Sequence, residues 1–247
     1  MRVILFTLLF TVASSLRISP PRVRASSSLS AASQVLAAQP TVEDWLSMAE
    51  PGLKKTCLAM FASCKEIAYK IRTASCDKMA CFNEFGDEQL AIDILANNVI
   101  FQNLKASGTV ATASSEETPT EDPMGGTGYS VAFDPLDGSS VIDTNFAVGT
   151  IWGVWPGERL TGITGRQLKA SGIAVYGPRT TMTIALSNLE HAHEFLLVDD
   201  FSARHGQWVK VSLCYHILYD IVTLINIYTM IINIYRLTSS LRSARAS

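Results

Sequence analysis

Cysteine is scarce and poorly spaced for a structural role. The 247-residue chain has 5, at Cys57, Cys64, Cys76, Cys81 and Cys214. No C-x2-C pair is present and no histidine stands at zinc-finger distance from a cysteine, which argues against a structural zinc site. The odd count also argues against a secreted disulfide scaffold. Charge is sparse as well, at 17% of residues, and nearly balanced at a net −2. That argues against a nucleic-acid partner that needs a basic surface. The 48% hydrophobic content rules out wholesale disorder and suffices for a sizeable core. The length suits one domain or two small ones. No internal repeat is visible.

Acid is missing from the first 42 residues, which carry Arg2, Arg17, Arg22 and Arg24 and a charge of +4, leaving −6 on the remainder. A charged start, the apolar run Val3 to Phe10 and small residues after it describe a secretory signal peptide over 1–15. The run is too short to span a membrane. The Ser/Ala-rich, acid-free stretch 16–41 has transit-peptide composition. The join Ala13-Ser14-Ser15-Leu16 resembles the processing site of bipartite leaders in algae whose plastids lie inside extra membranes. A plain signal peptide with a spacer is the other reading. The body is expected to begin near Thr41 or Val42.

Glycine and proline are absent from 212–237, where 7 Ile and 4 of the 7 Tyr collect. A membrane helix over Leu213–Tyr235 has the length, but Asp220 inside it is costly. A buried helix is the second reading. The third, favoured by the Ile/Asn/Tyr/Leu bias, is a departure from the true reading frame over 212–247.

Between these ends, Thr41 and Asp44 are spaced as a helix cap. Leu53, Cys57, Met60, Phe61, Cys64, Ile67 and Ile71 recur at helical spacing, which predicts a helix over 51–73 with Cys57 and Cys64 in the core. A second helix is predicted over 87–105, stopped by Gly108. Short apolar strands follow at Tyr129–Phe133, Val148–Trp155, Ser171–Tyr176, Thr180–Leu186 and Glu194–Val198. Helices followed by closely spaced strands indicate a layered α/β or α+β sheet.

The chemistry concentrates in Phe133-Asp134-Pro135-Leu136-Asp137-Gly138-Ser139-Ser140. Asp134 and Asp137 can converge only if the backbone bends between them; Pro135 fixes one dihedral and Gly138 permits close approach. Converging carboxylates repel unless a cation intervenes, and hard divalent ions such as Mg²⁺ favour such oxygen ligands. The Gly138-Ser139-Ser140 amides suit an anionic phosphate. An ordinary surface turn of the same composition is the competing reading.

The order Asp93, Glu116, Asp134, Asp137 resembles the metal-binding scheme of the lithium-sensitive sugar and inositol phosphatase superfamily. The stretch from Gly86-Asp87-Glu88-Gln89 to Ser140 resembles its fructose-bisphosphatase family. Val141–Phe146, Gly149–Gly157, Leu160–Arg166 and Tyr176–Thr181 are similar to the sedoheptulose-bisphosphatase branch. The resemblance covers roughly 42–211 and implies the N-terminal α+β half of a layered α-β-α-β-α fold. The C-terminal half, with a further acidic ligand and the groups that hold the sugar, is expected to be missing.

The resemblance implies that Glu116, Asp134, Asp137 and the Leu136 carbonyl hold two or more Mg²⁺ ions. It implies that Asp87, Asp93 and Glu117 orient or deprotonate the attacking water. Gly138, Ser139 and Ser140 are implied to contact phosphate, with the Ser139 hydroxyl orienting the water. A lone helical Asp93 is otherwise a solvated residue. Plastid members carry a Cys-x4-Cys pair like Cys76 and Cys81 that thioredoxin reduces, so a redox disulfide is implied; two unrelated thiols are the alternative. The implied reaction is hydrolysis of the 1-phosphate of sedoheptulose 1,7-bisphosphate in the plastid stroma, reached by the secretory route. Fructose 1,6-bisphosphate as substrate and an inactive fragment of either enzyme are the alternatives. A homo-oligomer is expected of the full-length protein, with no nucleic acid and no membrane as partner. Without the C-terminal layer, the strands Ser171–Tyr176 and Thr180–Leu186 are expected to be partly exposed, and this chain to be inactive or nearly so.

Overall fold

The computed structural model describes residues 38–73, 80–82, 88–199 and 203–214, with backbone alone at 80–82, 88–90 and 212–214. Asp87, Cys76 and the Cys81 side chain lie outside the described residues. So do the leader to residue 37 and the tail beyond 214.

Helix α1 (Val42–Trp45) opens as the Thr41/Asp44 spacing predicts. The Thr41 hydroxyl accepts from the Asp44 amide at 3.2 Å, and the Asp44 carboxylate accepts from the Thr41 amide at 3.4 Å. These reciprocal bonds satisfy donors that the first turn would leave orphaned. A 3₁₀ turn, Leu46–Met48, leads into α2 (Pro51–Thr73), which has the bounds its apolar spacing predicts. Pro51 occupies the first helical position, where a missing N–H costs nothing. Glu50 accepts from the Gly52 and Leu53 amides at 2.9 and 3.0 Å. The buried stripe includes Leu53, Cys57, Met60, Phe61, Cys64 and Ile67.

The second helix differs from expectation at its start. Residues Glu88–Leu90 (β2) are extended and pair antiparallel with Ala80–Phe82 (β1). Helix α3 therefore begins at Ala91 and runs to Ser107. Gly108, at φ 68°, ends it.

One eight-stranded mixed sheet carries the rest of the described residues. Its strands are β3 (Val110–Ser115), β4 (Asp122–Pro123), β5 (Tyr129–Asp137), β6 (Val148–Pro156), β7 (Ala170–Tyr176), β8 (Thr180–Leu186), β9 (Ala192–Leu197) and β10 (Trp208–Cys214). The spatial order is β10-β9-β8-β7-β6-β5-β3-β4, and only the β3–β5 pair is parallel. Strands β5 to β9 match the apolar runs seen in the sequence. Strands β3, β4 and β10 were not anticipated.

Alternation along β6 divides the sheet into two faces. Val148, Trp152 and Val154 join the main core with α2 and α3, while Ile151 and Trp155 pack in a smaller cluster with Ala132, Leu160 and Leu168. Gly172 on β7 lies directly beneath the Trp152 ring, where a Cβ atom would collide with the indole. Strands β7 and β8 are less open than expected: Val175, at 36% exposure, is their one large exposed apolar side chain. Neighbouring strands and the helix layer already cover most of their surface. Among the described residues, no helix is long and apolar enough to cross a membrane.

Candidate active site

A regular strand would send Asp134 and Asp137 to opposite faces, because their separation of three is odd. The sheet corrects this with a bulge. Asp134 pairs with Ile151 and Asp137 with Gly149, so Pro135 and Leu136 together oppose the single residue Thr150. The extra residue turns the second carboxylate back to the face of the first. Proline suits the position because it has no N–H to leave unpaired. The Leu136 amide donates to Asp134 Oδ1 at 3.0 Å, and the Thr150 hydroxyl donates to the Pro135 carbonyl at 2.8 Å.

Glu116 reaches the same face from the parallel neighbour. Ser115 pairs with Phe133, and the Glu116 amide donates to the Phe133 carbonyl at 3.2 Å, which sets Glu116 beside Asp134. The turn that carries Glu116 and Glu117 is closed by Ser115 and Thr118. Their backbone bond measures 2.9 Å, and the Thr118 amide also donates to Ser115 Oγ at 2.9 Å. Asn97 on α3 braces this turn: Ser115 Oγ donates to its Oδ1 at 2.6 Å, and its Nδ2 donates to Thr118 Oγ1 at 3.1 Å. Sequence reasoning missed Asn97. The available signal was its place one helical turn beyond Asp93, on the same face of α3.

Asp93 is not a solvated helix residue. It is 2% exposed, and its Oδ2 accepts from the Ser139 hydroxyl at 2.9 Å. Ser139 begins a 3₁₀ turn, Ser139–Thr144, directly after Gly138, whose φ of 83° is the left-handed conformation that glycine adopts without strain. Helix α3 therefore serves two loops, one through Asp93 and one through Asn97. Ser140 is exposed and Gly138 half-buried, while Leu136 is buried.

The electrostatics follow from burial of like charges. Burial pushes the Asp134 carboxyl well above the usual range, and the charges of Glu116 and Asp137 push it further. Asp134 also shares a hydrogen bond with Glu116, which two carboxyl groups can form only when one is protonated. Asp137 is raised to about 6 by burial and then by Glu116. The charges acting on Asp134 all have its own sign. A cation would relieve the repulsion, and the donors, all carboxylate oxygens, fit a hard divalent ion. The expectation that Glu116, Asp134 and Asp137 stand within reach of one ion is not met. Among the described residues, no group of three or more His, Cys, Asp or Glu side chains is close enough to hold a metal. Glu116 and Asp134 touch, and Asp137 acts on them through its charge.

The two core cysteines lie where expected: Cys57 and Cys64 are both fully buried free thiols.

Comparison with known proteins places these features in context. The family model described as "Fructose-1-6-bisphosphatase, N-terminal domain" matches residues 42–212. Sedoheptulose-1,7-bisphosphatase, chloroplastic, of Chlamydomonas reinhardtii is 52% identical over 168 residues, covering 68% of this chain and 42% of the relative. The spinach (Spinacia oleracea) protein of the same name is 49% identical over 177 residues, covering 70% and 44%. The chain thus spans less than half the length of these curated relatives. Among solved structures, Leishmania major fructose-1,6-bisphosphatase in holo form superposes with a TM-score of 0.63 at 26% identity, covering 71% of this chain and 59% of that one.

Proposed function

Because the chain belongs to the family whose model is the N-terminal domain of fructose-1,6-bisphosphatase, we propose that it provides the cation- and phosphate-binding part of a sugar bisphosphatase. The reaction is hydrolysis of the 1-phosphate of sedoheptulose 1,7-bisphosphate: a water oxygen bonds to phosphorus, the ester P–O bond breaks, and sedoheptulose 7-phosphate leaves. The observation that carries this reading is the bulge that sets Asp134 and Asp137 on one face beside Glu116. Identity near 50% to relatives named for the seven-carbon substrate favours it over fructose 1,6-bisphosphate.

Glu116, Asp134, Asp137 and the Leu136 carbonyl are the groups that would hold Mg²⁺. When bound, such ions neutralise phosphate charge and lower the pKa of a coordinated water. Asp93 fixes the Ser139 hydroxyl, whose remaining lone pairs can orient the attacking water. Asp87, Asp93 and Glu117 are the candidate proton acceptors. Gly138, Ser139 and Ser140 contact the phosphate that is lost.

The chloroplastic relatives support a plastid location, and the acid-free leader supports import through the secretory route to the stroma. Cys76 and Cys81 are read as the thioredoxin-sensitive pair. A dithiol should raise activity, and Cys76→Ser should remove that response. A homo-oligomer is proposed for the full-length protein.

The deciding assay measures Mg²⁺-dependent phosphate release from both sugars by the full-length protein. Higher kcat/KM for the seven-carbon sugar supports the reading. Preference for fructose 1,6-bisphosphate would replace the substrate, and folded protein that turns over neither sugar would remove the activity.

A further inference from the structure

A buried polar chain runs across β7 and β6 to the bulge. Thr150 is fully buried, and its hydroxyl hydrogen-bonds Tyr176 at 2.7 Å while donating to the Pro135 carbonyl at 2.8 Å. Cys64 of α2, fully buried, lies beside both hydroxyls, and Tyr176 itself is 5% exposed on β7. Burial pushes the Cys64 thiol up to about 12, so it stays protonated. Strands β6 and β7 thus supply the hydrogen-bonded side chains, and the chain ends on the backbone between the two aspartates.

The arrangement has a stated physical cause. A bulge removes ladder bonds, and a buried carbonyl left without a donor is costly. Thr150 is the residue opposite the bulge, and its side chain donates to the Pro135 carbonyl there. With one Oγ–H given to Pro135, Thr150 must accept from Tyr176. This gives the chain one direction, Tyr176 to Thr150 to Pro135, with the Thr150 hydroxyl both donating and accepting.

We propose that Thr150, oriented by Tyr176, is a positioning residue that keeps Asp134 and Asp137 on the same face by holding the Pro135 carbonyl. The consequence for cation binding rests on the reading of these carboxylates as Mg²⁺ ligands; the consequence for the backbone does not. Thr150 touches no ion or substrate. It acts through the peptide that joins two ligands, as outer groups do when they fix metal-binding side chains.

The test uses the full chain, Thr150→Val, Thr150→Ser and Tyr176→Phe, with two readouts. Mn²⁺ titration followed by the electron paramagnetic resonance of the free ion gives affinity. Hydrogen exchange of segment 133–138, compared with α2 and β8, reports the bulge itself. Thr150→Val should weaken Mn²⁺ binding about 10-fold or more and speed exchange in 133–138 by a similar factor, beyond any change in α2 and β8. Thr150→Ser, which keeps the hydroxyl, should stay within about 3-fold of wild type on both, and Tyr176→Phe should fall between. Equal exchange in Thr150→Val and wild type, or a rise uniform over the whole sheet, overturns the proposal. If Thr150→Val does not fold, Tyr176→Phe decides, and wild-type values on both readouts overturn it. If wild type binds no Mn²⁺ while exchange behaves as stated, the ligand reading fails and the positioning role stands.

Discussion

At the β10 edge, Phe61 meets Phe195 and Trp208 edge to face, with ring centroids 5.5 and 5.3 Å apart, and Trp45 meets Phe195 at 5.2 Å. Even the polar atom of Trp208 is satisfied there, its Nε1 donating to the Phe61 carbonyl at 3.0 Å. At the β5 end, the same sheet buries Asp134 against Glu116 and within the field of Asp137. Large rings with matched polar atoms stabilise a fold; buried like charges oppose it. The contrast teaches where stability is generated and where it is spent. The functional end holds its geometry through a bulge and buttresses such as Asn97 and Thr150, while the far end supplies apolar stabilisation.

The largest effect should come from the stabilising end. Phe61→Ala removes a ring that is 1% exposed and contacts both Phe195 and Trp208. A loss of about 3–5 kcal/mol is expected, read from the shift in denaturant midpoint. A loss under about 1 kcal/mol would break the comparison, since the rings would then not be the anchor.

Acid should separate the two ends by sign. His193 packs against Trp45 at 4.8 Å, and its buried Nδ1 has no hydrogen-bond partner among the described residues. Burial first, then the charges of Lys210 and His191, lowers its pKa to about 4. A folded pKa below the unfolded value of about 6.5 makes protonation favour the unfolded chain. Stability from this site is therefore present above pH 6.5 and is lost as pH falls towards 4. Asp137 runs the other way. Its pKa of about 6 in the folded, metal-free chain lies above the unfolded value, so its contribution is present below about 3.8 and is lost as pH rises through 6. His193→Phe should remove between about 1 and 3 kcal/mol of the acid-induced loss from pH 7 to 4.5. A stability–pH slope identical to wild type would show that His193 is not the group responsible.

Asp134→Asn should invert the usual cost of a buried substitution. The amide keeps an oxygen for the Leu136 N–H and offers Glu116 a donor, while one repelling charge disappears. The metal-free variant is expected to be more stable by about 1–2 kcal/mol, with its stabilisation by Mg²⁺ abolished and, in the full-length protein, its turnover lost. Melting with a chelator and with Mg²⁺ measures the first two. A destabilised variant, or one that keeps the Mg²⁺ response, would contradict the assignment of strain to this carboxylate.

Local pattern made part of this legible. Helix 51–73, the Thr41/Asp44 cap, five of the strands and the Asp-Pro-Leu-Asp segment all follow from apolar spacing and turn chemistry carried within about 20 residues. The elements that escaped lack such a signal. Strand β3, Val-Ala-Thr-Ala-Ser-Ser, is made of small residues with no alternation, and only its parallel partner β5 makes it a strand. Glu88–Leu90 reads as the first turn of a helix until Ala80–Phe82 pairs with it. Within the site, the acidic residues stood out by charge. Their supports did not, because Asn97, Thr150 and Tyr176 are ordinary residues whose role depends on partners 18, 15 and 26 positions away. The bulge itself is visible only in the register of two strands.

The smallest expected effect tests whether the two ends are independent. Thr41→Ala deletes the hydroxyl that caps α1 but leaves the backbone bridge from Thr41 to Val209 and the 3.1 Å bond from the Lys210 amide to the Pro40 carbonyl. The cap should cost about 1 kcal/mol. Asp44→Ala should cost about the same or less, and the double variant less than the sum, since both side chains belong to one reciprocal box. Neither change touches β5 or the turn that carries Glu116, so the rise in melting temperature on adding Mg²⁺ should equal that of wild type in all three. If the Mg²⁺ response instead falls in step with the lost cap energy, strain at the acidic end is being met through the α1–β10 corner. The sheet would then couple the two regions.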